Sequence, residues 1–228
     1  MYLKSSLTIL LFALSLKLFA QQIPAKKTAL SWFNLAVQDD MHSPMELDSE
    51  TLWAIMFQKD NEEAKTLMGN SLAIIYDKVN KQTNITLLPA ESLGGKVKYS
   101  RMGYPLASLK KASKKGNFEQ YVKIDIEVSG ARSNSTTLSR EVADSGVDQE
   151  LERVRVKPQI WVTLKFADKD GNTIDKVRGK YRHEKRVEIT SRSLSSMGWT
   201  VTHDREADAI PYYYFLEKAV DDLVQKLK

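Results

Sequence analysis

Alternating apolar and polar residues mark the strands of this chain. From Val122 to Val128 the even positions carry Val, Ile, Ile and Val, and the odd positions carry Lys, Asp and Glu. This period of two predicts a strand with one face in the core and one in water. The dense apolar run from Ala29 to Val37 predicts the first strand, and the run Ile85 to Leu88, ended by Pro89, predicts another.

A long β-hairpin is predicted from Pro158 to Arg182, at the centre of the core. Apolar residues recur at every second position from Ile160 to Phe166, and the return arm runs from Thr173 to Arg182. The turn Asp168 to Asn172 contains Asp-Gly, which is typical of a tight connection between two strands.

Helical spacing predicts a long helix over Glu62 to Lys81, with acids at its start, lysines near its end and a capping arrangement of Asp60 and Glu63. The sequence also predicts a short helix over Thr51 to Phe57 capped by Ser49, and another over Leu106 to Lys115 with Pro105 in its first turn. A regular apolar stripe from Tyr212 to Leu227 predicts a last helix that docks on the sheet.

This order predicts an α/β to α+β fold. We expect one domain at 21–228 with a mixed five-stranded sheet, parallel at the front and antiparallel at the hairpin, packed with three main helices. The polar segment at about 131–156 is either a flap or two strands extended beyond the sheet. A second irregular region is expected from His183 to Pro211.

The first twenty residues predict a cleaved export signal. Lys4 precedes an apolar run from Leu7 to Leu16, which is too short to cross a bilayer, and cleavage is expected after Ala20. Loss of Lys4 and Lys17 lowers the formal charge from +5 to +3. We therefore expect a periplasmic or secreted bacterial protein with no transmembrane segment after signal removal. The chain has no Cys, which excludes disulfides, thiolate metal sites and a lipidated N-terminal Cys.

The order of elements resembles the small periplasmic α/β domain that precedes the propeller protein of the Tol system. The same domain recurs in curli-secretion and penicillin-binding-protein-activator lipoproteins. The resemblance rests on Trp32 to Val37, Glu62 to Lys81, Ile85 to Leu88, Leu106 to Lys115 leading into Tyr121 to Val128, and the turn Asp168 to Asn172. It implies a binding or assembly module of the cell envelope without catalysis. The absence of Cys departs from the lipoprotein members.

Two groups of basic residues are the candidate sites for an anion or a partner. Lys176, Arg178, Lys180 and Arg182 stand at every second position of the hairpin's return arm, so they emerge on one face. We call these four residues the basic strip. A second basic cluster contains Lys96, Lys98, Arg101, Lys110 and Lys111, continued by Lys114 and Lys115, with Tyr99 and Tyr104 interleaved. Such groups either hold a polyanion or merely keep a sheet face solvated.

Catalytic and metal motifs are absent from the sequence. The turn Asp168 to Asn172 lacks the calcium-loop ligands at its first and last positions, which are Phe166 and Val177. Gly94-Gly95-Lys96 lacks the first Gly and the Ser or Thr of a phosphate loop. A loose oxygen-rich site at His203, Asp204, Glu206 and Asp208 competes with a simple solvated loop. No cofactor is therefore predicted.

Three hypotheses for function follow. The first is a non-enzymatic envelope protein that binds a protein partner or an anionic polymer or lipid surface. The second is an enzyme without a recognisable motif, using His203, Asp204 and Glu206. The third is a structural subunit that forms oligomers through the last helix or a sheet edge. At the start of that helix, Tyr212 to Phe215 must expose at least one ring, which either contacts a partner or a glycan or packs under the preceding loop.

Overall fold

The structure is a computed structural model that describes residues 25–38, 47–132, 137–139, 150–184, 187–194, 198–202 and 211–228. The described strands are β1 (Lys26–Val37), β2 (Ile85–Leu88), β3 (Gln120–Arg132), β4 (Thr137–Ser139), β5 (Glu150–Asp168), β6 (Thr173–Arg182), β7 (Val187–Leu194) and β8 (Gly198–Thr202). The described helices are α1 (Ser49–Met56), α2 (Glu62–Gln82), α3 (Leu109–Lys115) and α4 (Tyr212–Leu227), with a 3₁₀ segment at Ala90–Lys96. The predicted signal at 1–20 lies outside the described residues.

The five strands predicted from the sequence form a mixed sheet in the order β2-β1-β3-β5-β6. β1 pairs in parallel with β2 and β3, whereas β5 pairs antiparallel with β3 and β6. The predicted α/β class, with a parallel front and an antiparallel hairpin, is therefore confirmed.

The sheet continues past these five strands. β3 and β5 stay paired as far as Arg132 and Val156. The first part of β5, from Glu150 to Val156, pairs with β7, and within it Leu151 to Arg153 also pair with β4. β7 pairs in turn with β8. Strand therefore occupies both ends of the predicted flap at 131–156 and much of the region expected to be irregular at 183–211. The ladder is built from backbone hydrogen bonds, so a polar segment extends it without the apolar alternation that marks a buried strand.

One face of the sheet carries the main core, against α2 and α4. The buried stripe of α2 is the predicted one, from Ala64 through Leu67 to Val79. Its cap differs from the prediction: Asn61 Oδ1 accepts the N–H of Ala64 at 2.8 Å, while Asp60 pairs with Lys65. The cap of α1 is Asp48 instead of Ser49, because the Asp48 carboxylate accepts the N–H of Thr51 at 2.7 Å.

Helix α4 docks on β6 at a glycine. A Cβ on Gly179 would overlap the carbonyl oxygen of Ala219 and lie 2.6 Å from Leu223 Cβ, so the helix rests directly on the backbone of the strand. Phe215, Leu216 and Val220 are buried in the same contact layer. Each such side chain stabilises the fold by roughly 1.5–3 kcal/mol.

The other face is covered at one end by α3 and the 3₁₀ segment. A small cluster there contains Ala29, Leu93, Ala112 and Tyr121. The predicted helix over Leu106 to Lys115 begins later, because Ser108 caps α3. Pro105 and Leu106 are extended instead, since Leu106 forms a bridge to Trp32 and its N–H donates to Lys98 O at 2.8 Å.

Candidate anion-binding surface

The remaining area of that second face has no helix over it in the part of the chain that the structure describes. Side chains that point away from α2 and α4 line up in rows across β1, β3, β5 and β6. We call this area the open face. Its members are Trp32, Asn34 and Ala36 on β1, Lys123, Asp125, Glu127 and Ser129 on β3, Gln159, Trp161, Thr163 and Lys165 on β5, and the basic strip on β6.

A bulge near the hairpin turn fixes which side chains of β6 reach the open face. The register of β5 with β6 shifts by one residue between Phe166 and Ala167, and Ile174 is the extra residue. Without that shift the basic strip would point into the core. Ile174 is correspondingly 53% exposed. In the structure all four cations are exposed, and Gly179 is buried on the opposite side.

Neutral side chains hold the two arginines of the basic strip. Arg178 Nε donates to Thr163 Oγ1 at 3.1 Å. Arg182 donates from Nε and Nη2 to Gln159 Oε1 at 3.2 and 3.1 Å. Gln159 in turn donates to Ser129 Oγ at 3.1 Å. Each guanidinium has five N–H donors, so both arginines are oriented and still have donors left for a ligand.

No carboxylate pairs with the basic strip among the described residues. By contrast, Lys65, Lys78, Lys81 and Lys226 each form an ion pair. On the open face itself, Asp125 pairs with Lys123 at 3.3 Å, whereas Arg178 stands two strands away in the same row, beyond Thr163. No described side chain therefore neutralises the positive charge of the strip through a direct ion pair.

Trp161 lies in the middle of the open face and was missed by sequence reasoning. It stands opposite Glu127 on one side and Lys180 on the other. The guanidinium of Arg178 lies 6.0 Å and Lys180 Nζ 5.7 Å from its ring centroid, within cation–π range. The sequence did contain a signal for it: Trp161 stands between Ile160 and Val162, which point into the core, so its own side chain must point to the opposite face.

The second basic cluster is exposed but divided. Lys110 lies against the hairpin turn, since a Cβ on Gly171 would approach its Cα to 2.7 Å, so α3 adjoins the Lys176 end of β6. Lys111, Lys96 and Lys98 are exposed on α3, the 3₁₀ segment and the loop after it. Arg101 lies elsewhere, near Asp60, where it adds to the effect of Lys65 in lowering the pKa of that carboxyl group.

The interleaved tyrosines of this cluster have structural contacts. Tyr99 donates its hydroxyl to Gly94 O at 2.9 Å. Tyr104 packs against Phe33 with ring centroids 5.2 Å apart, and burial raises its pKa. Neither ring therefore extends the open face.

The turn Asp168 to Asn172 is a hydrogen-bonded hairpin turn. Asp168 Oδ1 accepts the N–H groups of Asp170 and Asn172, each at 2.9 Å, and Gly171 has φ of +83°. The bond from the Asn172 N–H is the main cause of the lowered pKa of Asp168. The carboxylate is thus directed at its own backbone. In the described ranges, no three His, Cys, Asp or Glu side chains are grouped as metal ligands.

The aromatic residues at the start of α4 lie on different sides of the helix, some in the core and some at the surface. Tyr212 and Phe215 are buried, and Tyr214 is 46% exposed, which confirms that at least one ring is accessible. Tyr214 packs edge-on against Tyr181 at 6.0 Å. His183 packs edge-on against Phe215. The remaining histidines, His42 and His203, lie outside the described residues, as do Asp204, Glu206 and Asp208.

A cleft of about 520 Å³ opens at the end of the sheet where β1 and β2 begin, beside the last residues of α4. Lys26, Gln120, Asp175 and Lys226 line it with apolar residues such as Phe166. Lys226 is already engaged by Asp222 at 2.6 Å and by Arg178 O at 3.0 Å.

No protein-family model matches the chain, and no curated protein sequence matches it. Among solved structures, it is similar to one described as a neuraminyllactose-binding hemagglutinin homolog from Helicobacter pylori. The identity is 11%, the match covers 90% of this chain and 86% of that chain, and the TM-score is 0.37. A likeness at this level says nothing about the ligand of this chain. The resemblance to the Tol-system domain and its lipoprotein relatives stays a prediction. In the described parts, no helix is both long enough and apolar enough to span a bilayer.

Proposed function

We propose that the protein is a non-catalytic binding module of the bacterial cell envelope, periplasmic or secreted, that holds an anionic envelope component on its open face. One observation carries the proposal. The basic strip has no carboxylate partner among the described residues, and its arginines are oriented by Thr163 and Gln159. The expectation of export rests on the signal-like pattern of residues 1–20.

Orientation by neutral acceptors favours binding over simple solvation. Holding a long basic side chain in one rotamer costs conformational entropy. A surface that needs charge solely for solubility gains nothing from that cost. Because the arginines are already ordered before a ligand arrives, less conformational entropy is lost when the ligand binds. The bound anion then receives charge-assisted hydrogen bonds from them.

The test is retention of the mature protein on a sulfated-dextran column eluted with rising NaCl. Replacing Lys176, Arg178, Lys180 and Arg182 by Gln is expected to lower the eluting salt concentration markedly, because fewer counterions are released on binding. The matched control replaces Lys110, Lys111, Lys114 and Lys115 by Gln, which removes the same charge from α3. Equal shifts for the two variants would contradict the proposal that the open face is the site.

A second candidate function is self-association or protein binding through α1. Trp53, Met56 and Phe57 are 51%, 61% and 55% exposed, and the Trp53 and Phe57 rings lie 4.5 Å apart. Such residues are enriched in the centres of protein interfaces. Sedimentation velocity over a range of concentrations tests self-association. The wild type is expected to associate and the Trp53→Ser, Phe57→Ser variant to stay monomeric. A monomeric wild type would exclude self-association through this surface.

A further inference from the structure

The open face is divided chemically across its width. The basic strip lies on β6 at its edge, Trp161 lies on β5, and Asp125 and Glu127 lie on β3, with Asn34 beyond them on β1. Two further cations, Lys123 on β3 and Lys165 on β5, stand in the row of Lys176. The rows read directly from the register: Glu127, Trp161 and Lys180 form one, and Asp125, Thr163 and Arg178 form the next. Any occupant of the face therefore meets cations, a ring and carboxylates within a few strand spacings.

The carboxylates decide between classes of polyanion. Glu127 is exposed, and the Asp125 side chain is 34% exposed. A phosphate polymer or an anionic bilayer that lay on this face would bring its own negative charge close to both groups, which is unfavourable. The repulsion is greater at Glu127, because Asp125 is paired with Lys123 at 3.3 Å. A sugar polymer instead offers hydroxyl groups, which donate hydrogen bonds to carboxylates and to the Asn34 amide oxygen.

The tryptophan supports the same ligand. Trp161 presents a partly exposed ring between the basic strip and the acids, and Arg178 and Lys180 lie over that ring at 6.0 and 5.7 Å, near the limit of cation–π distance. Aromatic rings are amphipathic contact surfaces of low conformational entropy, suited to a flat ligand ring with polar edges. An acidic substituent on that ligand ring would lie over β6.

We propose that the open face binds an acidic polysaccharide, with its anionic groups on the basic strip, a sugar ring on Trp161, and hydroxyl groups on Asp125 and Glu127. This inference rests on the proposed function and narrows its ligand. It accounts for the acids, which a general polyanion surface would exclude. It also assigns a role to Trp161, which contributes nothing to the main core.

Binding of the mature protein to four probes tests the inference. The probes are polygalacturonate, neutral dextran, inorganic polyphosphate matched in charge to the polygalacturonate, and vesicles containing anionic lipid. The wild type is expected to prefer polygalacturonate. Trp161→Leu is expected to weaken that binding about fivefold. The control Phe118→Leu replaces a ring that packs on Tyr121 near the start of β3, and it is expected to leave the binding unchanged. The melting temperature of each variant identifies any loss of folding.

A double variant, Asp125→Asn and Glu127→Gln, provides a readout that does not depend on replacing Trp161. It is expected to tighten binding to polyphosphate, because repulsion is removed, and so to lower the preference for polygalacturonate over polyphosphate. An unchanged preference would overturn the inference.

The other outcomes separate the two proposals. Equal binding of polygalacturonate and polyphosphate with no effect of Trp161→Leu, or binding to the vesicles alone, would overturn the polysaccharide inference and leave anion binding standing. Binding to dextran as tight as to polygalacturonate would overturn it as well, because the basic strip would have no role. Failure to bind any of the anionic probes would overturn both.

Discussion

The backbone N–H of Lys180 donates to the carboxylate of Asp222 at 2.7 Å, which covers the outer edge of β6 with a side chain of α4. Lys226, paired with Asp222, covers the neighbouring carbonyl of Arg178 at 3.0 Å. An exposed strand edge is a template for pairing with another chain. Side chains of α4 therefore already occupy this stretch of the sheet edge, which disfavours the oligomers through a sheet edge that the third hypothesis suggests.

Removal of Asp222 is expected to expose that edge. Asp222→Ala leaves the Lys180 N–H without its acceptor and Lys226 without its carboxylate partner. In the Trp53→Ser, Phe57→Ser background, which removes association through α1, we therefore expect concentration-dependent association by sedimentation velocity. Asp221→Ala is the matched control, because Asp221 pairs with Lys78 and not with β6. A monomeric Asp222→Ala variant would show that the carboxylate does not protect the edge.

Gly179→Ala is expected to destabilise the fold by about 1–3 kcal/mol, the usual cost of overpacking. The added methyl group would meet the backbone of α4 at Ala219, which cannot move without shifting the helix. Urea unfolding measures the change. Gly95→Ala serves as the control, since a Cβ there meets nothing within 4 Å and its φ is not in the left-handed region. Equal midpoints for the two variants would refute the close approach of α4.

Tyr212→Phe is expected to cost about 1 kcal/mol, the net value of one buried hydrogen bond. Ser71 Oγ donates to Leu67 O at 2.6 Å, so it accepts from the Tyr212 hydroxyl at 3.0 Å. The variant removes that donor and leaves packing unchanged. Tyr214→Phe, at an exposed ring, is expected to cost less. The free energy of unfolding in urea compares them, and an equal cost would argue against the buried bond.

Stability is expected to fall in alkali. Burial raises the pKa of Tyr212 and of Tyr76 above the ordinary value of 10.0. An unfolded tyrosine ionises near pH 10, whereas the folded one stays neutral. The stabilisation is therefore present below about pH 10 and is lost as the pH rises from there towards the folded pKa. The stability difference between wild type and Tyr212→Phe should shrink over that range. A constant difference from about pH 8 to about pH 11 would contradict a buried neutral phenol.

Much of the sheet was predictable because its strands obey a burial pattern. Ile124, Ile126 and Val162 alternate with polar residues, and the structure pairs them on the helix-facing side. The side of the basic strip was predictable for the same reason. The bulge at Ile174 was not, since a register shift depends on three-dimensional packing of the turn against α3 and not on composition.

The rest of the site depends on contacts between residues far apart in the chain. The sequence places Trp161 in a strand but does not show that it lies between Glu127 and Lys180. The N-caps of α1 and α2 each differ from the predicted residue by one position. Asp60 pairs with Lys65, which leaves the cap of α2 to Asn61, and the Asp48 carboxylate reaches the N–H of Thr51 in α1. Pro105 stays extended since its neighbour Leu106 pairs with Trp32.

The two sides of β6 accept change very differently. Val177, Gly179 and Tyr181 face α4, and Gly179 leaves no room for even a methyl group. Positions 176, 178, 180 and 182 face solvent, and the arginines among them contact neutral polar side chains, Thr163 and Gln159, instead of the apolar core. A combinatorial library randomised at these four positions is therefore expected to yield mostly folded members. Selection from this library on immobilised glycans would give variants that prefer other glycans while the rest of the fold stays unchanged.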